Sequence, residues 1–163
     1  MAALRLDESF EEVPLLDDHC AILHTISVDH FEYGIWYLPL SAGLSAHKER
    51  IEDQLGRKLP RNCWEIKFAL KRDFVLGVPS YTEPGTHEDL GCLNYRQMMA
   101  LGAGIFQSSW MLRRHREVKG FVAIALEDRP KLGPYYGRLL NSYRDQLGYS
   151  IYPVLEGSGY AIF

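Results

Sequence analysis

The chain has 163 residues, of which 47% are hydrophobic, and a net charge of −3. That length supports one domain with a real core, and the charge excludes a whole-chain attraction to nucleic acid or to an anionic membrane surface. No apolar run approaches the ~20 residues that span a bilayer, the acidic N-terminus lacks a secretory layout, and three dispersed cysteines without a C-x-x-C pair point to reduced thiols; the expectation is a soluble, cytoplasmic protein.

Residues 1 to 18 are rich in acidic side chains and read as a partly mobile N-terminal segment, ahead of a single α/β domain over 19 to 163. From His19 to Leu38 the chain is β-branched and aromatic, which fits one long bent strand or a hairpin broken at Asp29-His30 or Tyr33-Gly34. Ser45 followed by Glu49, with Ile51 and Leu55 on one face and Gly56 as a stop, predicts a short amphipathic helix. In "CWEIKFAL" (63 to 70), Trp64, Ile66, Phe68 and Leu70 alternate with other residues, the period of a half-buried strand. "FVLGVPSY" (74 to 81) reads as its returning partner, and residues 82 to 90 as a loop.

"GCLNY" (91 to 95) is a short strand candidate. A helix over 98 to 116 then places Met98, Leu101, Ile105 and Leu112 on one broad face, with Phe106 and Trp110 alongside. Arg113, Arg114, His115 and Arg116 close it, where cations complement the helix dipole. "GFVAIALE" (120 to 127) is an unbroken apolar run, the mark of a strand covered on both faces. Pro130 suits a helix start, and Leu132, Tyr136, Leu139, Leu140, Tyr143 and Leu147 follow helical spacing up to Gly148. "IYPVL" and "YAIF" form a terminal hairpin. The order predicts an α/β fold: a mixed, mostly antiparallel sheet with helices on both faces.

Gly102-Ala103-Gly104 poses the functional question. Two glycines at a helix start let backbone amides approach an anion, helped by the helix dipole; equally, they make the tight turn from which a helix begins. With this element order, the chain resembles the GNAT superfamily of N-acetyltransferases over roughly residues 63 to 163. The likeness sets Gly102 to Ile105 as the glycine turn, Phe121 to Leu126 as the next strand, and Tyr143 to Tyr149 as the tyrosine motif. It implies a GNAT-like fold and acetyl-CoA as cofactor, with the pyrophosphate on the amides of Ala103, Gly104, Ile105 and Phe106 after Gly102, and Tyr143 as the general acid for the leaving thiolate. Met99 stands where the family usually carries Arg or Gln, and Gln97 just upstream can restore the polar group. The tyrosine motif has one extra residue before Gly148.

Other constellations are weaker. Cys20 and His24 share a strand face while His19 points away, leaving two ligands where a structural zinc needs four, so no metal is expected. His87, Glu88 and Asp89 near Cys92 contain the parts of a cysteine nucleophile but also suit an ordinary polar loop. The tyrosines from Tyr135 to Tyr160 suit core packing or a protein-binding surface in the C-terminal third.

Three functions follow: an acyl-coenzyme A-dependent N-acyltransferase with a small-molecule or protein acceptor, a non-catalytic protein-binding module (immunity, inhibitor or accessory protein), or a ligand-binding pseudoenzyme. Neither nucleic acid nor membrane is an expected partner.

Overall fold

The computed structural model describes residues 2–15, 18–40, 47–71, 93–124, 132–157 and 159–163. Within them a mixed sheet of eight strands carries helices on both faces. β3 (Cys20–Val28) and β4 (Phe31–Pro39) form a hairpin, resolving the bent-strand alternative. Asp29 takes φ 51° in its two-residue turn, a left-handed conformation that Asp tolerates better than most residues.

The N-terminal segment forms two short strands. β1 (Leu4–Leu6) and β2 (Glu11–Pro14) lie in succession along one edge of β3, β2 against its first half and β1 against its second. Their backbone groups gain ladder partners on β3, which outweighs the local acidity of the segment.

β4 pairs with β5 (Cys63–Leu70), and β5 runs parallel to β6 (Gly120–Ile124). A parallel neighbour requires a crossover, and α2 (Tyr95–Arg116) supplies it. β6 is buried along its whole length, as its unbroken apolar run predicts. α3 (Leu132–Leu147) ends before Gly148 at φ 65°, and the closing hairpin of β7 (Ile151–Val154) and β8 (Gly159–Ile162) sets β8 between β6 and β7.

Alternation along the strands sorts the core into two layers. Ile26, Ile35 and Phe68 face α2, where they meet Leu101, Ile105 and Leu112. Val122, Ile124 and Ala161 face the other way, onto Ile51 of α1 (Lys48–Leu55). Trp64, which alternates in phase with Ile66 and Phe68, is only partly buried near the strand start.

Two expectations about local structure change. The described part of "GCLNY", 93–95, is no strand: Leu93 is buried, Asn94 caps α2 and Tyr95 is already helical, while Gly91 lies outside the described residues. Asn94 Oδ1 accepts from the amide of Gln97 at 2.8 Å, and Gln97 Oε1 accepts from the amide of Asn94 at 2.9 Å, a capping box that starts the helix three residues early. α1 begins at Lys48 with His47 at its N-cap and no side-chain cap. Ser45, the strand at 74–81, the loop at 82–90 with His87, Glu88 and Asp89, Cys92 and Pro130 lie outside the described residues.

Candidate functional site

The crossover helix α2 carries most of the chemistry. Its 22 residues include four arginines and a histidine but no Asp or Glu. Tyr95, Met99, Phe106, Trp110 and Arg113 recur at spacings of four, seven, four and three, which gathers them on one edge of the helix. Tyr95, Met99 and Trp110 are 77%, 39% and 40% exposed, the large apolar side chains that stand out on the described surface. Arg96 and Arg114 are exposed on the same helix. An aromatic and methionine stripe edged by arginines therefore runs along α2 for about 30 Å at 1.5 Å per residue.

Beside the stripe, α2, α3 and strands β5, β6 and β8 enclose a cleft of about 80 Å3. Ile66, Ile105, Phe121, Ala123 and Leu140 line its interior. At its mouth the rings of Phe106 and Tyr143 stack at 4.4 Å with 6° between their planes. The Arg113 guanidinium lies 4.1 Å from the Tyr149 ring centroid and 5.1 Å from that of Trp110, which fixes a positive charge at the rim. Tyr149 donates its hydroxyl to the Val118 carbonyl at 2.7 Å, and Ser109 donates to Ile105 O at 2.9 Å.

No family model, curated protein or solved structure matches the chain.

The glycine pair is neither a cradle nor a turn. Gly102, Ala103 and Gly104 lie in the interior of α2, seven or more residues past its first residue, and both glycines are buried. A Cβ at Gly102 would collide with Leu139 Cδ2, and one at Gly104 would fall within 2.9 Å of the methyls of Ile26 and Leu4. The two glycines let α2 lie close to α3 on one side and to the sheet on the other. The amides of Ala103, Gly104, Ile105 and Phe106 serve the helix ladder and point along its axis, so they form no anion site.

Gln97 is likewise engaged. Besides closing the capping box, its Nε2 donates to Asp29 Oδ2 at 3.0 Å, tying the helix start to the β3–β4 turn. The Gln97 hydrogen bond, followed by that from the Ala3 amide, holds the Asp29 carboxyl below its ordinary value.

Tyr143 lines the cleft mouth, stacked on Phe106, so these two expected site residues do come together. The tyrosine-rich third does not form one surface. Tyr135 is buried with its hydroxyl donating to Met98 O, Tyr149 packs beneath Arg113, and Tyr152 accepts from Arg57 on the far side of the sheet.

One polar constellation escaped the sequence. His24, fully buried, has Nδ1 2.6 Å from Ser108 Oγ and Nε2 2.8 Å from the Asp7 carbonyl, while Tyr37 Oη lies 2.7 Å from Ser108 Oγ. His24 and Ser108 are 84 residues apart, so no local spacing announces the pair. Both have no exposed surface, which leaves the serine without access to a substrate. Both His24 nitrogens are engaged in this network, and among the described residues no group of His, Cys, Asp and Glu is placed to hold a metal ion. No helix among them is long and apolar enough to cross a membrane.

Proposed function

We propose that this protein is a non-catalytic binding module that grips an acidic, partly apolar segment of another protein along the outer edge of α2. The observation that carries this is the surface of α2 itself: exposed Tyr95, Met99 and Trp110 on a helix with four arginines and no carboxylate. Exposed aromatics, methionine and arginine are the side chains enriched at protein interfaces, where Trp, Tyr and Arg dominate the binding energy. The charge of the helix selects for an acidic partner and against a basic one.

An acyltransferase draws support from the element order alone, a strand, crossover helix, parallel strand, helix and closing hairpin. The residues assigned to the coenzyme do other work: the glycines pack helices, and Gln97 caps one.

Selection from a random peptide library against the immobilised protein tests the proposal. Enriched sequences should be acidic with interspersed Leu, Ile or aromatic residues. They should be lost on Trp110→Glu, which places a carboxylate in the stripe, and kept on Lys58→Glu, near α1. Enrichment of basic sequences, or retention by Trp110→Glu, would overturn it.

A further inference from the structure

We infer that the cleft beside the stripe is the specificity pocket of this face: it takes one aliphatic side chain of the partner's acidic segment, while Arg113 at the rim meets a carboxylate next to that side chain. This rests on the binding role proposed for α2, and it adds which residue of the partner is read and how.

The cleft's interior selects for hydrocarbon. Its deep walls are Ile66, Ile105, Phe121, Ala123 and Leu140. The polar atoms nearby are already engaged, since Ser109 donates to Ile105 O and Tyr149 donates to Val118 O. A polar group entering here would lose its water without finding a partner. The space of about 80 Å3 within the half-open cleft is smaller than the ~150 Å3 of a dry apolar cavity that holds benzene, so it suits a branched chain of roughly four carbons better than an aromatic ring. Leucine, isoleucine and valine fit that description.

The rim selects for charge. Tyr149 and Trp110 flank the Arg113 guanidinium, so its position is set before anything binds. A guanidinium pairs with a carboxylate through two parallel N–H donors. The aliphatic side chain and the acid must therefore be near neighbours in the partner's sequence, because Arg113 lines the same cleft as Leu140 and Ala123. Phe106, Trp110 and Arg113 of the stripe also line the cleft, which makes the cleft continuous with the stripe along α2. A segment lying on α2 thus passes directly over the cleft.

The test titrates the full chain, isotope-labelled for NMR, with three probes: the pentapeptide N-acetyl-EDLED-amide, the same peptide with alanine at its centre, and N-acetyl-leucine. The leucine peptide should shift the backbone resonances of Ile105, Ala123 and Leu140 and bind about tenfold more tightly than the alanine peptide, as expected for the burial of the extra hydrocarbon. Leu140→Trp, which fills the cleft, should erase that tenfold preference, with circular dichroism confirming the fold. Arg113→Gln, which leaves the cleft open, should weaken the leucine peptide severalfold and flatten its dependence on salt. If both peptides bind α2 equally well, the pocket is refuted while the binding role of α2 stands. If neither peptide perturbs α2, both are refuted. If N-acetyl-leucine binds as tightly as the pentapeptide, the occupant is a small carboxylic acid and the inference falls.

Discussion

Ser108 Oγ lies 2.6 Å from His24 Nδ1, joining the middle of α2 to the middle of β3. The hydrogen bonds run outward from Tyr37. Its hydroxyl donates to Ser108 Oγ at 2.7 Å, with Ser109 Oγ farther off at 3.1 Å; Ser108 in turn donates to His24 Nδ1 and His24 Nε2–H to the Asp7 carbonyl, while Ser109 donates to Ile105 O. Asp7 sits between β1 and β2, so the network reaches the outer edge of the sheet. It ends beside the cleft at Ser109. His24→Leu would leave the buried Ser108 hydroxyl without its acceptor and should cost about 1–3 kcal/mol, and Ser108→Ala about 1–3 kcal/mol. The double variant should cost less than the sum, because each change removes the same bond. Urea denaturation of all four proteins measures this, and strict additivity would show that the pair is not coupled.

Gly104 tests the packing role of the glycine pair. A Cβ there meets Ile26 Cδ1 at 2.8 Å and Leu4 Cδ1 at 2.9 Å. Gly104→Ala gains about 1 kcal/mol of helix propensity but must displace two core methyls, so the net change should be a loss of about 1–2 kcal/mol. Gly104→Asp buries a carboxylate at the helix–sheet interface and should unfold the protein or cost several kcal/mol. Thermal denaturation distinguishes the two; a fully stable Gly104→Asp would place this residue at the surface.

Cys63 lies on β5 facing α1, and burial pushes its thiol up to about 12 from an ordinary value near 9. The folded state thus favours the protonated thiol. Its contribution to stability is complete below pH 9 and is lost as pH rises from there towards 12. Burial also raises the phenols of Tyr37 and Tyr135, so they add to the same alkaline decline. At pH 8 a thiol reagent should label exposed Cys20 in the native protein and reach Cys63 only after unfolding. Stability measured between pH 9 and 11 should fall less steeply in Cys63→Ala than in the wild type.

Acetyl-CoA at 1 mM should leave the melting temperature of the wild type within about 1 °C, whereas a ligand at ~100 times its dissociation constant adds about 2.7 kcal/mol, a shift of several degrees. A clear thermal shift with acetyl-CoA, lost on Tyr143→Phe, would restore the acyltransferase.

Periodicity alone determined much of this protein. The alternation in β5, the unbroken apolar run of β6, the helical stripes of α2 and α3 and the closing hairpin are all local patterns, because a side chain's direction follows from its own backbone. The α2 start was legible too, in the Asn94-to-Gln97 capping spacing, although the short apolar "GCL" before it suggested a strand. What the tertiary structure decided is where those elements meet. Gly102 and Gly104 fit a turn as well as a helix interior until Leu139 and Ile26 are seen against them. The acidic N-terminal segment looked mobile because the partner that satisfies its backbone, β3, follows later in the chain. The His24–Ser108 pair and the cleft beside Trp110 arise where distant segments converge, and a one-dimensional pattern does not record distances between residues that are not neighbours along it.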